Sequence, residues 1–355
     1  MNNLARKSVQ LIKPYNPPIE GRRIYRGYLL DFNERTEPYG AVVKTALLNF
    51  AEENKFQYYP EYGNTTPLVA DYAQVKAENI LITNGSDRGI DLIFRVFTGV
   101  NDEVIIPSPS FAMFYQCAQI GGNKIITPVY DSSNGAFPTA EVLGLINSRT
   151  KLVVICNPNN PTGGLASLGD IEKILRKAKK SMVYVDEAYV EYSGVSAVSL
   201  INQYPNLVIT RTFSKAFGLA ALRVGYIIAS SQVIDELNKV RGPYDINMAG
   251  AVAAQAVLND LAPLNSYLKE VMTMSKPMVE RFFKDYGIFF YPSAANFILF
   301  KFNGADAVFE SLTQQGFRLR PRKGFGFDDT LRLTLGMKNQ TVEFVEMFKK
   351  ICQKN

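Results

Sequence analysis

Residues 151–164 read KLVVICNPNNPTGG, an apolar run that is followed at once by a polar turn. A short run without polar alternation is typical of a strand that is buried on both faces, as in a parallel sheet. The asparagine, proline and glycine residues that follow mark the end of the strand. This stretch therefore predicts one strand of a buried parallel sheet.

Five further runs of the same kind lie along the chain: NILIT (79–83), DEVIIP (102–107), SMVYV (181–185), LVIT (207–210) and VGYIIA (224–229). Helical patterns separate them, such as DIEKILRKAKK at 170–180. Strands that alternate with helices of this length predict an α/β fold, with a mainly parallel central sheet and helices on both faces.

The pattern changes near Gly242, where a long helical stretch over 248–286 and shorter strands at 296–302 and 330–335 follow. We predict a large α/β domain over 31–242 and a smaller C-terminal α+β domain over 243–355. Residues 1–30 are predicted to form an N-terminal arm with a strand, because their prolines prevent a regular helix.

The composition is that of an ordinary soluble globular protein, with 355 residues of which 47% are hydrophobic and 20% are charged. No apolar run approaches the roughly 18 residues that a membrane span needs, and the N-terminus has no apolar signal segment. The three cysteines show no CxxC spacing. We expect a cytoplasmic protein without a membrane partner, a disulfide or a metal site.

The chain contains no histidine, which excludes Ser-His-Asp and Cys-His catalysis and histidine-ligated metals. Proton transfer must use Lys, Asp, Glu, Tyr or Cys, or a cofactor. The net charge of +6 favours anionic ligands. A nucleic-acid partner is not expected, because neither a recognition-helix unit nor an RNP-like aromatic motif occurs.

Polar residues follow four of the predicted strands, and in open α/β sheets ligands bind beyond the carboxyl ends of strands. They are Gly85-Ser86-Asp87, Asn160, Asp186 with Tyr189, and Ser214 with Lys215. Lys215 stands among small and apolar neighbours in TRTFSKAFGLAALRVG (210–225), and a lysine is rarely buried without a reason. No P-loop and no strand-linked GxGxxG occurs. A lysine, an acid and a helix-start anion site match the needs of pyridoxal 5'-phosphate (PLP).

Three motifs in this order, NPNNPTG, DEAY and SKAFGLAALRVG, resemble those of fold-type-I PLP-dependent aminotransferases, specifically the histidinol-phosphate aminotransferase family. The resemblance runs from about Leu30 to Gly336. It implies the fold-type-I architecture, the cofactor PLP, and a homodimer whose subunits share active sites.

The resemblance also implies three catalytic residues. Lys215 would bond to PLP as a Schiff base and move the substrate proton, and an apolar pocket would lower its pKa. Asp186 would form a salt bridge to the pyridine nitrogen, and Tyr189 together with Asn160 would bind the phenolic oxygen.

For the PLP phosphate, the resemblance points to a helix start at Gly85, Ser86 and Asp87, and to four other side chains, namely Ser214, Arg223, Thr212 and, from the neighbouring subunit, Tyr59. Phe111 would stack on the ring. The sequence departs from the family at Arg88, where an acidic residue is usual.

For the substrate, Arg332 resembles the arginine that binds the α-carboxylate of the donor, and Arg320 matches the arginine that binds a substrate phosphate. Arg318 and Arg322 lie two residues to either side in RLRPRK and would share a face in an extended segment. Asn33 is also expected to bind substrate, but it lies in DFNERTEPYG, where the family usually reads N-E-N-P. That departure leaves the identity of the substrate open.

The implied reaction moves an amino group between glutamate/2-oxoglutarate and a phosphorylated ketone. Imidazole-acetol phosphate, which would give histidinol phosphate, is the leading acceptor. The alternatives are another small phosphorylated ketone, an aromatic 2-oxo acid, or PLP-dependent decarboxylation of a phosphorylated amino acid.

Overall fold

A computed structural model describes residues 4–322 and 328–353 of the chain. Lys323, the last residue of RLRPRK, and the ends of the predicted arm and C-terminal domain lie outside the described residues. In the described part, the strands are β1 (Tyr28–Leu29), β2 (Ile80–Thr83), β3 (Glu103–Ile105), β4 (Lys124–Ile126), β5 (Thr150–Cys156), β6 (Met182–Asp186), β7 (Leu207–Thr212), β8 (Gly225–Ala229), β9 (Phe297–Lys301), β10 (Phe317–Arg318), β11 (Arg320–Arg322) and β12 (Thr330–Thr334).

The helices of the described residues begin with α1 (Lys7–Gln10), α2 (Ala41–Glu52), α3 (Thr65–Ala73), α4 (Gly85–Phe97), α5 (Ala112–Gly121), α6 (Thr139–Leu145) and α7 (Leu168–Lys177). They continue with α8 (Val190–Ser193), α9 (Ser231–Asn238), α10 (Met248–Asn259), α11 (Ala262–Glu270), α12 (Lys276–Asp285), α13 (Ala305–Gln314) and α14 (Lys338–Cys352).

The large sheet has seven strands in the order β2-β8-β7-β6-β5-β3-β4. All neighbours pair in parallel except β8, which is antiparallel to both β2 and β7. The prediction of a mainly parallel sheet is confirmed. Six carboxyl ends and the amino end of β8 therefore lie at one edge of the sheet.

Both faces of this sheet are covered, as the unbroken apolar runs predict. Val153 and Ile155 of β5 belong to one hydrophobic core, whereas Leu152, Val154 and Cys156 belong to a second core on the opposite face. Burying each such aliphatic side chain contributes about 1.5–3 kcal/mol. The two cores fix the sheet, and so fix where its polar edge residues lie.

Two predicted helices have different bounds in the structure. The helix predicted over 170–180 begins at Leu168, because the Ser167 side chain accepts a hydrogen bond from the Asp170 backbone N–H at 3.1 Å. The stretch predicted as helical over 248–286 is interrupted at Asp260, after which α11 starts with Pro263 in its first turn. A π-helical turn, Val271–Ser275, joins α11 to α12.

A smaller antiparallel sheet, β11-β12-β9, lies in the C-terminal part of the chain. Its register places Arg320 directly opposite Arg332. Strand β1 of the N-terminal segment pairs in parallel with β10, so the first thirty residues are tied to the C-terminal part. The division at residues 30 and 242 stays a prediction, and α10, just beyond the second boundary, packs on α2 and α3. Across 4–322 and 328–353, no helix has both the length and the apolar character that a membrane span requires.

Candidate active site

A cavity of about 720 Å³ opens at the edge of the large sheet where the parallel strands end. This volume lies in the range of small-molecule sites. The cavity is lined by thirteen of the fifteen predicted site residues: Asn33, Ser86, Asp87, Phe111, Asn160, Asp186, Tyr189, Thr212, Ser214, Lys215, Arg223, Arg320 and Arg332. Gly85 and Tyr59 are the two that do not line it.

Lys215 follows β7 and is partly buried in the cavity. Its Nζ donates a hydrogen bond to the Phe32 carbonyl oxygen at 2.7 Å and lies 5.8 Å from the centre of the Tyr189 ring. Desolvation lowers the pKa of the Lys215 amine from 10.5 to about 8, although Glu34 acts in the opposite direction. A neutral, nucleophilic amine is thus accessible near neutral pH.

Asp186 is the last residue of β6 and is buried. Its Oδ1 accepts a hydrogen bond from the Ala188 backbone N–H at 3.0 Å, and its Oδ2 accepts one from the Tyr184 hydroxyl at 3.0 Å. Desolvation raises the pKa of the Asp186 carboxyl to about 6, while these donors hold it down. A buried carboxylate that faces a cavity favours a cationic or proton-bearing partner there.

Tyr189 and Asn160 each accept a hydrogen bond from another side chain that lines the cavity. The Tyr189 hydroxyl accepts a hydrogen bond from Asn33 Nδ2 at 2.9 Å, and burial raises the pKa of the Tyr189 phenol. Asn160 Oδ1 accepts a hydrogen bond from Arg332 Nη1. Both side chains line the cavity beside Lys215, so the structure brings together the groups predicted around the amine.

An anion cradle forms where α4 begins next to β8. Arg223 Nη2 pairs with Asp87 Oδ2 at 3.0 Å, and Arg223 Nη1 lies 3.4 Å from Ser214 Oγ. The first backbone N–H groups of α4 lack intrahelical partners and carry the positive end of the helix dipole. Gly85 has a φ of +72°, and a Cβ added there would lie 2.5 Å from Arg223 Nη2. Glycine therefore lets Arg223 approach the helix start.

Three further guanidinium groups line the cavity, those of Arg320, Arg322 and Arg332. Arg332 is buried and donates to two neutral oxygens, Asn160 Oδ1 and the Asp31 carbonyl at 2.7 Å. Its Nε is buried without a hydrogen-bond partner in the described chain. Desolvation, together with the charges of Arg322 and Arg320, lowers the pKa of Arg332 to about 10. This excess of positive charge suits an anionic substrate.

Arg318, the other arginine of RLRPRK, does not share that face. Its Nε lies 3.4 Å from Asp31 Oδ2, and its Nη2 donates to the Pro18 carbonyl at 3.0 Å. The chain leaves β10 at Arg318 and enters β11 at Arg320, so the segment is not one continuous strand. Arg88 also lies outside the cavity lining and pairs with Asp91 and Asp245.

Sequence reasoning missed several residues that line the cavity. Tyr15, Pro17 and Ile19 reach it from the N-terminal arm, and Phe32, Glu34 and Cys156 contribute as well. The arm is positioned by ion pairs of Arg22 with Asp31 and Glu34. Such long-range pairs leave no periodic signal in a sequence. Arg322, by contrast, lines the cavity together with Arg320, as their spacing of two residues predicts.

Comparison with known proteins identifies the family. The sequence model described as "Aminotransferase class I and II" matches residues 29–346. The chain belongs to the class I and II aminotransferases. It is 35% identical to a histidinol-phosphate aminotransferase of Thermoanaerobacter pseudethanolicus, over 94% of this chain and 95% of the relative. A histidinol-phosphate aminotransferase of Ruminiclostridium cellulolyticum is 30% identical, over 99% of each chain.

The fold agrees with this assignment. The crystal structure of a histidinol-phosphate aminotransferase from Sinorhizobium meliloti, in complex with pyridoxal-5'-phosphate, superposes with a TM-score of 0.87. The alignment covers 99% of this chain and 98% of that one at 20% identity. The predicted fold class is confirmed, and the chain is a PLP-dependent aminotransferase that acts on small molecules.

The residues of the cavity fit PLP on chemical grounds. Arg223, Ser214 and the helix start at Ser86 form a cradle for a dianionic phosphate. The buried Asp186 carboxylate suits the protonated nitrogen of a pyridine ring, and Lys215 supplies the amine. Phe111 lines the same cavity, edge-to-face with Phe114 at 5.7 Å between ring centres.

Proposed function

We propose that this aminotransferase moves an amino group between glutamate/2-oxoglutarate and a phosphorylated ketone, and that imidazole-acetol phosphate is its physiological acceptor. The observation that supports this most is the arginine cluster of Arg320, Arg322 and Arg332 in the same cavity as Lys215. The relatives named as histidinol-phosphate aminotransferases support the same acceptor.

Each residue has a physical task in this proposal. Bound PLP supplies an electron sink that stabilises negative charge on the substrate carbon. Lys215 Nζ, which is about half neutral at pH 8, would carry the proton between the substrate carbon and the cofactor. Asp186 keeps the pyridine nitrogen protonated, and Asn160 and Tyr189 bind the phenolic oxygen. Gly85, Ser86, Asp87, Thr212, Ser214 and Arg223 hold the phosphate, and Phe111 packs on the ring.

The substrate is held by three of the predicted residues. Arg332 binds the carboxylate of glutamate, for which a planar guanidinium is suited. Arg320 binds the phosphate of the other substrate, with Arg322 beside it. Asn33 would contact the substrate from a fixed position, since its side chain donates to Tyr189 and its backbone N–H donates to Thr334 Oγ1 at 3.0 Å.

A spectral half-reaction tests the proposal. Glutamate is expected to remove the near-visible absorption band of the PLP-loaded protein, and imidazole-acetol phosphate to restore it. Dihydroxyacetone phosphate and an aromatic 2-oxo acid serve as competing acceptors. If the absorption band returned with the aromatic 2-oxo acid alone, the proposal would be contradicted.

The lowered pKa of Lys215 gives a pH prediction. A pKa of about 8 leaves about one amine in ten neutral at pH 7, against fewer than about one in a thousand for an ordinary lysine. We expect the rate at which the PLP-free protein captures PLP to rise with pH and level off above about pH 8. The growth of the near-visible band after rapid mixing measures this rate. A rate that still climbs steeply between pH 9 and 10 would show an unperturbed lysine.

We also propose a homodimer that works in the cytoplasm. Tyr59 is 77% exposed and stacks on Tyr244 at 4.2 Å between ring centres, away from the cavity of its own chain. An apolar groove lined by Leu47, Leu48 and Leu222 lies on the surface as well. Exposed apolar surfaces of this kind are typical of protein interfaces. The cytoplasmic location is supported by three free cysteines.

The dimer proposal predicts complementation between two variants, one with weakened PLP binding and one inactive. If Tyr59 binds the PLP phosphate of the partner, Tyr59→Phe should weaken PLP binding by about 0.5–1.5 kcal/mol, the value of one hydrogen bond. Mixing that variant with Lys215→Ala should form heterodimers with one intact site. PLP titration and activity after mixing test this, with Tyr58→Phe as the matched control. A fully active monomer would rule it out.

A further inference from the structure

A buried group of hydroxyls contacts Asp186 from inside the large sheet. Tyr184 precedes Asp186 by two residues on β6, so the two side chains lie on the same face. Thr210 is directly opposite Asp186 on β7. The Tyr184 hydroxyl lies 3.0 Å from Asp186 Oδ2 and 2.7 Å from Thr210 Oγ1, and Thr210 Oγ1 lies 3.3 Å from Asp186 Oδ2. All three residues are buried.

Counting protons decides how these groups are connected. Two hydroxyls carry two hydrogens, but there are three oxygen–oxygen contacts. The two shorter contacts are satisfied when Thr210 donates to Tyr184 and Tyr184 donates to Asp186 Oδ2. The longest contact, between Thr210 and Asp186, is then left without a hydrogen. The geometry thus favours a chain that runs from Thr210 through Tyr184 to Asp186.

We propose that Tyr184 is a positioning residue that, oriented by Thr210, donates to Asp186 and sets how firmly the cofactor's pyridine nitrogen holds its proton. The inference deepens the proposed function, because it rests on the placement of Asp186 against that nitrogen. Tyr184 does not line the cavity and acts only through Asp186.

The physical effect follows from the charge on Asp186. A donor to a carboxylate stabilises the charged form and so makes the carboxylate a weaker base. A weaker base leaves the shared proton on the pyridine nitrogen, where it supports the electron sink. Burial raises the pKa of the Tyr184 phenol far above its usual value, so it keeps its proton and remains a donor.

Three other ionisable groups near Asp186 are Asp87, Cys156 and Tyr189. Asp87 of α4 raises the pKa of the Asp186 carboxyl. Cys156 of β5 lies next to Asp186 in the sheet, and burial raises the pKa of its thiol, which therefore stays neutral. Tyr189 also stays neutral. In the described chain, Oδ2 of Asp186 accepts its hydrogen bond from Tyr184, and Thr210 Oγ1 lies 3.3 Å away from it.

The test uses the full-length protein loaded with PLP that carries ¹⁵N in the pyridine ring. In Tyr184→Phe, the ¹⁵N signal is expected to move from the protonated toward the unprotonated position. Thr210→Val should move the ¹⁵N signal less. In the Tyr184→Phe background it should cause little additional movement, because Thr210 acts through Tyr184. We also expect kcat of Tyr184→Phe to fall about tenfold, the effect of one hydrogen bond to a charged group, with the KM for glutamate unchanged.

Tyr291→Phe is the matched control. It removes one hydroxyl from an equally buried tyrosine that donates to the Ser132 carbonyl at 3.0 Å. The inference is overturned if the ¹⁵N signal of folded Tyr184→Phe coincides with those of the wild type and Tyr291→Phe. The ¹⁵N spectrum requires bound PLP but no ketone substrate. If the enzyme used no phosphorylated ketone, the proposed function would be refuted, but this result would be unaffected.

Discussion

Lys215→Ala is expected to abolish transamination while leaving a protein that still binds PLP. Removing a residue that is both the nucleophile and the proton carrier should lower the rate by more than about a thousandfold. The cradle of Ser214, Arg223 and the α4 start does not depend on the lysine. We therefore expect PLP to bind noncovalently. Activity with glutamate and the PLP content after dialysis measure the two effects.

Lys173→Ala is the control for this change, because Lys173 is an exposed lysine on α7 that pairs with Asp170. It should retain full activity. If Lys215→Ala keeps more than about a tenth of the wild-type rate, the amine that forms the bond to the cofactor lies elsewhere.

Arg332→Ala and Arg320→Ala are expected to impair different halves of the reaction cycle. Glutamate has a carboxylate that histidinol phosphate lacks, and histidinol phosphate has a phosphate that glutamate lacks. Losing a desolvated charge-assisted pair costs about 2–5 kcal/mol, or roughly 30-fold to several thousandfold in rate. Arg332→Ala should therefore slow the glutamate half-reaction, and Arg320→Ala the phosphorylated one.

Single-turnover rates of each half-reaction distinguish the two arginines. Arg281→Ala is the control, because Arg281 is 86% exposed on α12 and its loss removes the same charge. If Arg320→Ala leaves the rate with every phosphorylated substrate unchanged, the RLRPRK segment is a solvated charge cluster. The phosphorylated acceptor would then lose its main support.

The sequence predicts the central sheet well because its strands are buried on both faces. Six of the seven strands correspond to the predicted apolar runs, with bounds that differ by one or two residues. The missed strand, Lys124–Ile126, is three residues long at the edge of the sheet and partly exposed. Its pattern is too short to separate from a loop. Residues 248–286 were harder to divide, because the break at Asp260 depends on local backbone geometry.

The residues of the candidate site also differ in how well the sequence predicts them. Residues that follow strands, such as Asn160, Asp186 and Lys215, are predictable because the carboxyl ends of parallel strands meet at one edge. Tyr184 and Thr210 are not, since they lie within apolar runs and their hydroxyls meet only across two paired strands. Tyr15 and Ile19 depend on how the arm docks, which long-range contacts decide.

Transfer of labelled nitrogen tests the central proposal most directly. The protein is incubated with ¹⁵N-glutamate and imidazole-acetol phosphate, and the products are followed by mass spectrometry together with release of carbon dioxide. The proposal predicts ¹⁵N in histidinol phosphate, one 2-oxoglutarate for each label transferred, and no carbon dioxide. Absence of label from histidinol phosphate would contradict it, as would carbon dioxide released in a parallel incubation with a phosphorylated amino acid.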